Sequence, residues 1–234
     1  EKYPSAVIKR LDSDTAASRN KFLTILKMMR RGEIDILIGT QIIAKGHHFP
    51  NVTFVGVVWA DGGLNMPDFR AAEKTYQLLS QVTGRAGRGE KHGRVIVQTM
   101  RPNHYAIELA RQHRYEQFYE KEIDVRKRPQ FPPFVRLVQF KIIGEIEYDV
   151  NRAATNLSLI CRKFSHENEK IIEVLWPAPV PLEKINDKYR WQVLLKSHDA
   201  AALHVLAKHV QLNHSDFAAG SAKISIDIDP ENMM

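Results

Sequence analysis

Short apolar runs alternate with amphipathic segments along the first half of the chain. Four runs have the length and apolar content of strands: residues 7–11, 34–38, 52–59 and 94–99. Nearly continuous apolar runs such as 34–38 are typical of strands buried on both faces of a parallel sheet. Residues 22–31 and 69–82 instead place apolar side chains at helical spacing. This alternation, with short connections, predicts a parallel sheet with helices on both faces.

The second half has a different order of elements. Residues 111–128 form a charge-rich helical segment that Pro129, Pro132 and Pro133 terminate, so we expect a domain boundary there. The predicted elements that follow are a strand (135–143), a helix (150–166), two strands (171–175 and 190–196), a helix (200–213) and a strand (222–227). The order βαββαβ is typical of a ferredoxin-like domain. We therefore predict an α/β domain at residues 1–128 and a smaller α+β domain at 129–234.

Composition narrows the class of protein. The 234 residues are 44% hydrophobic, which is enough for one large core or two ordinary ones. A net charge of +7 favours a polyanionic partner such as nucleic acid. The single cysteine, Cys161, excludes a disulfide framework or a cysteine-rich zinc module within this stretch. Without an apolar leader or membrane-length run we expect a cytoplasmic protein, and the start at Glu1 indicates a fragment.

Residues 81–88 are the most informative segment. Arg85 and Arg88 lie three residues apart in a glycine-punctuated turn that directly follows the predicted helix 69–82. Arginine stays charged and its planar fork of donors suits phosphate oxygens. An arginine presented in this way is typical of a finger that stabilises charge on a transferring phosphoryl group. The alternative for such a segment is a solvated basic loop.

Two further loops follow predicted strands. In parallel sheets, ligands bind at the loops beyond the carboxyl ends of the strands. The first offers a hydroxyl, an amide, a cation and backbone N–H groups that suit a phosphate, at Gly39, Thr40, Gln41, Lys45 and Gly46. His47 and His48 suggest a metal, which we disfavour because adjacent side chains diverge and no other ligand follows at the required spacing.

Asp61 could be a general base or metal ligand. Such an aspartate more often caps or orients a loop.

The second domain contains an aromatic residue flanked by polar and cationic ones, at Lys188, Arg190, Trp191 and Gln192. Such an aromatic can stack on unpaired bases while the cations hold phosphates. Equally, Trp191 can alternate with Val193 on a strand and face the core, with Arg190 and Gln192 facing water. The basic run 126–128 favours a solvated linker over a DNA site.

Taken in order, these segments resemble the C-terminal motor domain of superfamily 2 helicases. Residues 36–51 are similar to motif V and residues 81–88 to motif VI. The sequences at 68–74, 189–196 and 227–230 resemble more specifically the primosomal replication-restart helicases of that superfamily. The resemblance extends from about Tyr3 to Pro230 and implies that the first domain is RecA-like.

The resemblance implies a 3′ to 5′ DNA helicase, driven by ATP, that acts at stalled replication forks and reloads the replisome. It implies that Arg88 reaches the γ-phosphate with Arg85 beside it, and that Gln81 couples the nucleotide to the interdomain cleft. The motif V residues Thr40, Gln41 and Gly46 would link the DNA backbone to the nucleotide. The implied partners are branched or single-stranded DNA, the single-stranded DNA-binding protein and other primosome proteins. Lys188 and Gln192 are candidates for such contacts.

The chain departs from the full family pattern in several ways. It has no GxxxxGK[ST] phosphate loop and no Asp-Glu-x-His box for magnesium, and the cysteines that bind the family's zinc are absent. We therefore expect a C-terminal part that cannot hydrolyse ATP alone, with Arg85 and Arg88 exposed and poorly ordered. Two alternatives are a non-catalytic nucleic-acid or protein-binding module, and a metal-dependent nuclease that uses His47, His48 and Asp61.

Overall fold

The computed structural model of the chain describes residues 3–12, 19–40, 51–84, 93–185, 187–213, 220 and 222–233. The chain divides into two compact units, and the second contains Glu122–Met234 together with the short segment Met66–Arg70. The division predicted at residue 128 did not include this short segment in the second domain. In the described ranges no helix is long and apolar enough to cross a membrane.

The first unit contains short strands and helices. Its strands are β1 (Ile8–Leu11), β2 (Ile36–Gly39), β3 (Phe54–Val57) and β4 (Arg94–Val97). The helices are α1 (Arg19–Arg30), α2 (Asp61–Leu64), α3 (Ala71–Thr83), α4 (Tyr105–Arg111) and α5 (Tyr115–Lys127), whose last residues belong to the second unit. β1 pairs with β2 and β3 with β4, both in parallel. The predicted parallel sheet is confirmed in part, because the described strands form two separate pairs.

The core of the first unit lies among its helices. Tyr76 and Leu79 of α3 pack with residues of α4 and with Phe118 of α5, and the Tyr76 and Phe118 rings stack at 4.1 Å. The prediction that the strands are buried on both faces is wrong, since Ile38 is 55% exposed and Phe54 is 56% exposed. Apolar content shows that a strand suits a buried position but does not show whether both of its faces are covered.

The second unit is built on one antiparallel sheet. Its elements are β5 (Arg136–Gly144), α6 (Glu147–Glu167), β6 (Glu173–Val174), β7 (Ala178–Ile185), β8 (Lys188–Ser197), α7 (Ala200–Leu212) and β9 (Lys223–Ile228). The strand order is β6-β8-β5-β9, and β7 also pairs with β8. The ferredoxin-like prediction is confirmed in part, since the predicted elements occur in order with β7 added. The prolines that predicted a loop there are tolerated at an irregular edge, where the register shifts after Pro179.

The two faces of this sheet are covered differently. On the helix face, Phe140 of β5 and Val193 of β8 pack under α6 and α7, where Leu157 and Leu206 are fully buried. On the opposite face, Leu137 and Leu194 meet a smaller apolar cluster whose other members are Val135, Met233, Phe69, Phe131 and Leu175. We call Met66–Arg70 the strap and this second surface the strap face. The alternation of side chains along each strand assigns neighbouring residues to these two cores.

The end of α5 corrects one sequence interpretation. Arg126 is buried, and its Nε and Nη2 donate to Oε1 of Glu122 at 2.8 and 2.6 Å. Its Nη1 also donates to the carbonyl oxygen of Pro132 at 3.3 Å. The view of residues 126–128 as a solvated linker is therefore wrong for Arg126, whereas Lys127 and Arg128 are exposed. A buried guanidinium requires such partners, and sequence spacing does not reveal the carbonyl oxygen among them.

Leu157→Ala should destabilise the second unit by about 2–5 kcal/mol, because the fully buried side chain leaves a cavity under the sheet. Leu159→Ala is the matched control on the same helix, since Leu159 is 54% exposed. The control should change the free energy of unfolding by less than about 0.5 kcal/mol. Urea unfolding followed by circular dichroism measures both, and equal losses would contradict the assigned core.

Candidate nucleotide and DNA-coupling site

The structure describes the start of both motif segments, residues 36–40 of the first and residues 81–84 of the second. Gly39, Thr40, Asp61 and Gln81 are among the described residues. The predicted site residues Gln41, Lys45, Gly46, His47, His48, Arg85 and Arg88 lie outside the described residues. The expectation that the two arginines are exposed and poorly ordered falls on the same undescribed segment.

Helix α3 leads to the arginine segment. Its inner side is anchored by Tyr76, Leu79 and Val82, which are all buried. Gln81 lies on the exposed side, in the last turn of the helix. The hydroxyl of Thr83 donates to the carbonyl oxygen of Leu79 at 2.9 Å, and the Gly84 N–H donates to that of Ser80 at 3.1 Å. The helix is thus hydrogen-bonded up to the residue before Arg85, and its Gln81 side chain is accessible.

The end of β2 presents the first motif V positions. Gly39 is the last residue of the strand and lies opposite Leu11 in the parallel pair with β1. Both Gly39 and Thr40 are exposed. The backbone of Gly39 and the hydroxyl of Thr40 are therefore accessible at the carboxyl end of a parallel strand. Phosphate ligands bind at this end of the strands in α/β sheets.

Asp61 is held by the loop that follows β4. Its carboxylate accepts a hydrogen bond from the hydroxyl of Thr99 at 3.0 Å and one from the N–H of Met100 at 2.9 Å. The Met100 N–H is the main cause that holds the pKa of Asp61 below its ordinary value; Thr99 and the charge of Arg101 act in the same direction, and burial opposes them. Both carboxylate oxygens accept hydrogen bonds within the protein, which favours the loop-orienting interpretation of Asp61 over a general base.

The described residues give no support to a metal site. None of their groups of histidine, cysteine, aspartate or glutamate is suited to hold a metal ion. Zinc, which the resemblance implies for the longer family members, does not fit the one cysteine of this chain. Cys161 is fully buried in the helix-face core, and burial raises the pKa of its thiol to about 12. A zinc ligand must be a thiolate, which this environment disfavours.

The four candidate residues of β8 are divided between the two faces of the sheet. Trp191 lies opposite Ile142 and packs against the helix-face core. The structure therefore favours the core interpretation of Trp191 over base stacking. Lys188, Arg190 and Gln192 alternate with it and lie on the strap face. Gln192 accepts a hydrogen bond from Nε2 of Gln139, and Lys188 is exposed.

Two further cations share that surface, and sequence reasoning missed them. Ile143 of β5 lies between Arg190 of β8 and Lys223 of β9 in the sheet register. Lys141, two residues earlier on β5, forms an ion pair with Asp227 at 3.2 Å. We call Lys141, Lys188, Arg190 and Lys223 the cationic patch. These residues come from three strands, so only the pairing register brings them to one face.

Comparison with known proteins adds to this geometry. Residues 3–90 match the family model of the helicase conserved C-terminal domain, and residues 127–231 match that of the primosomal protein N C-terminal domain. The chain is 40% identical over 232 residues to the replication restart protein PriA of Bacillus subtilis. It is 34% identical over 230 residues to the PriA of Synechocystis and 36% over 232 residues to that of Treponema pallidum.

The chain matches a C-terminal fragment of PriA. The resemblance inferred from the motifs is thereby confirmed. The matches cover 99%, 98% and 99% of the chain but only 28%, 27% and 34% of the relatives from B. subtilis, Synechocystis and T. pallidum. The chain thus spans about a third or less of the PriA proteins that it matches. Among solved structures, the de novo designed protein Foldit4 overlaps 42% of the chain with a TM-score of 0.31 and 12% identity, which is too weak to bear on the fold.

Asp61→Asn should lower the thermal midpoint of the first unit at pH 7, because it replaces the charged acceptor of the Thr99 and Met100 hydrogen bonds. A carboxylate whose folded pKa lies below its ordinary 3.8 stabilises the fold above that pH, and the contribution is lost as pH falls through the folded value. The gap between wild type and variant should therefore narrow at pH 3.

Calorimetry at the two pH values measures this gap, and Glu120→Gln on the exposed side of α5 is the control for removing a carboxylate. A gap of the same size at both pH values would show that the charge of Asp61 does not stabilise the fold.

Proposed function

We propose that the chain is the C-terminal part of an ATP-dependent 3′ to 5′ DNA helicase that acts at stalled replication forks in primosome assembly and replication restart. The observation that carries this proposal is the pair of family matches, in order along one chain, together with 34–40% identity to PriA proteins over nearly all its length. These matches do not favour a non-catalytic binding module.

The finer architecture is part of the same proposal. The parallel pairs β1–β2 and β3–β4 would belong to one RecA-like sheet with helices on both faces, in a motor domain at residues 1–128. The second domain, at 129–234, would be ferredoxin-like. Its strand order, β9-β5-β8-β6 with an antiparallel sheet and α6 and α7 on one face, supports that assignment.

In this proposal the chain supplies one side of a nucleotide site. Arg88 reaches the γ-phosphate and Arg85 assists it, while Gln81 couples the nucleotide to the interdomain cleft. The residues that link nucleotide and DNA are Gly39, Thr40, Gln41, Lys45, Gly46, His47 and Asp61. ATP and magnesium would be held by a part of the protein outside this chain, because the sequence has no phosphate loop. The chain alone would therefore not hydrolyse ATP, and zinc would also bind elsewhere in the protein.

The rigidity of helix α3 supports this proposal. The charge that develops on a transferring phosphoryl group is stabilised by a cation placed in advance, so the residue that carries the cation needs a rigid support. Helix α3 is such a support, since four of its residues are buried in the unit and its last turn is hydrogen-bonded. Asp61 would act through the loop after β4 and not as a base.

For the second domain we propose contact with DNA phosphates through the cationic patch. Lys188 and Lys223 are exposed, and Arg190, two residues from Lys188 on β8, is aligned with Lys223 across Ile143. Lysine and arginine on one face give sequence-indifferent binding to the DNA backbone. The proposed partners are branched or single-stranded DNA, the single-stranded DNA-binding protein, for which Lys188 and Gln192 remain candidates, and other primosome proteins, all in the cytoplasm.

Arg88→Ala in the full-length protein should lower ATP turnover by about 10³-fold or more, because an arginine finger contributes that much to phosphoryl transfer. Binding to fork DNA should persist. The matched control is Arg111→Ala, which removes an exposed arginine at the end of α4. Steady-state ATPase assays with saturating fork DNA measure the effect, and turnover equal to that of the control would reject the role of Arg88.

Lys188→Glu combined with Arg190→Glu should weaken fork binding by the chain about tenfold or more and reduce its salt dependence by up to about 2 in log–log slope. The control is Lys163→Glu with Lys208→Glu, which makes the same charge change on the exposed sides of α6 and α7. Fluorescence anisotropy at several salt concentrations measures both. Equal weakening by the two pairs would show that only net charge matters and would contradict the patch.

A further inference from the structure

A buried amide lies beside the cationic patch in the second unit. Gln139 of β5 is fully buried and lies opposite Leu194 of β8 on the strap face. Its Oε1 has no hydrogen-bond partner among the residues that the structure describes. A buried amide whose oxygen is unpaired costs stability, so packing alone does not account for a glutamine at this position.

Two acceptors fix the direction in which the amide of Gln139 faces. Its Nε2 donates to the backbone carbonyl oxygen of Met233 at 3.3 Å and to Oε1 of Gln192. A backbone carbonyl can only accept, so the atom of Gln139 that faces Met233 must be the nitrogen. The same nitrogen then requires an oxygen, and not a nitrogen, from the amide of Gln192. The carbonyl of Met233 therefore sets the orientation of Gln192 through Gln139.

Gln192 has its oxygen bound to Gln139, which leaves its Nε2 as a donor. No hydrogen bond among the described residues uses that nitrogen. Gln192 is half-buried on the strap face, directly opposite Lys141 of β5 and two residues from Arg190 on β8. Residues directly opposite each other in an antiparallel pair have Cβ atoms about 4.5–5.5 Å apart. The donor therefore borders the cationic patch.

We propose that Gln139 is a positioning residue, which holds the amide of Gln192 so that its N–H groups donate to a DNA phosphate bound at the cationic patch. This inference rests on the proposed function, since the patch as a DNA surface comes from there. A phosphate oxygen accepts hydrogen bonds and repels an amide oxygen, so only one orientation of the Gln192 amide favours binding. Without Gln139 that amide can turn over, and the favourable orientation is no longer selected before DNA binds.

Fork binding by the 234-residue chain tests this role through a double-mutant cycle. Gln192→Leu removes the donor and Gln139→Leu removes its orientation, so each should weaken binding about three- to tenfold, as loss of one hydrogen bond does. Gln139→Leu should have no further effect in the Gln192→Leu background. Neither change should alter the dependence of binding on salt, because neither removes a charge. Fluorescence anisotropy at several salt concentrations measures these effects.

Ser158→Ala is the matched control, since it removes a fully buried polar group on α6, away from the patch. It should leave fork binding unchanged. Additive losses in the double variant, or an equal loss in Ser158→Ala, would overturn the proposal. If Lys188→Glu with Arg190→Glu also leaves fork binding unchanged, the proposed DNA surface fails and this inference with it. If that pair alone weakens binding, the patch stands and Gln139 has no role in it.

Nuclear magnetic resonance on the wild-type chain tests the same contact without a variant. The Nε2 protons of Gln139 should exchange slowly with solvent, because the residue is buried and this nitrogen is hydrogen-bonded. Fork DNA should shift the side-chain amide signals of Gln192 in the same titration as the backbone amide signals of Lys188 and Arg190. A Gln192 side-chain signal that stays unchanged while those two backbone signals shift would refute the contact.

Discussion

The antiparallel pairing of β5 with β8 determines which side chains of the second unit are buried and which are available. Val138 lies opposite Leu195 and Ile142 opposite Trp191, and these residues face the helices. A shift of one residue would send Trp191 to the strap face and Arg190 into the helix-face core. The core under α6 and α7 prevents that shift. The same register therefore places the cationic patch and the apolar cluster that contains Phe69 on one face.

The strap face combines two different kinds of chemistry along its length. At one end Lys188, Arg190 and Lys223 are free to contact a polyanion, and at the other Lys196 and Arg126 are buried. Burial changes what a cation can do, because a desolvated charge is stable only with partners. Glu122 and Glu173 supply carboxylates, and the rings of Phe69 and Phe131 supply cation–π contacts. Lys188 and Lys196, eight residues apart on the same strand, thus have unrelated roles.

Sequence patterns predicted the elements of the second unit well because its long helices and strands have strong periodicity. Leu157 and Cys161 recur at helical spacing on α6, and Trp191 and Val193 alternate on β8, so the core interpretation was available for Trp191. The helix that carries Gln81 was likewise predicted, at 69–82, and lies at Ala71–Thr83 in the structure, whereas the role of Gln81 comes from the family resemblance. These features depend on local spacing, which a single sequence displays directly.

The features that sequence reasoning missed all depend on contacts between distant segments. The two donors to Asp61 lie 38 and 39 residues away, and Phe131 lies 62 residues from Phe69. Helical spacing assigned Phe69 to the predicted helix 69–82, whereas the structure begins α3 at Ala71 and packs Phe69 into the strap-face cluster. The exposed apolar residues of β2 and β3 were predicted as buried for the same reason, since burial depends on what else packs there.

The packing of α3 bears directly on how the proposed arginine finger can work. An arginine at the end of a glycine-containing turn has many accessible positions, and only one of them places its charge against a γ-phosphate. Rigid support restricts the positions of the arginine before the nucleotide binds. The charge then needs no reorganisation during the reaction, which lowers the activation free energy. Buried side chains along α3 support the helix from within the first unit, and its last turn is hydrogen-bonded up to Gly84. In the proposed function, this helix is the rigid support that limits the positions of the arginines that follow it in sequence.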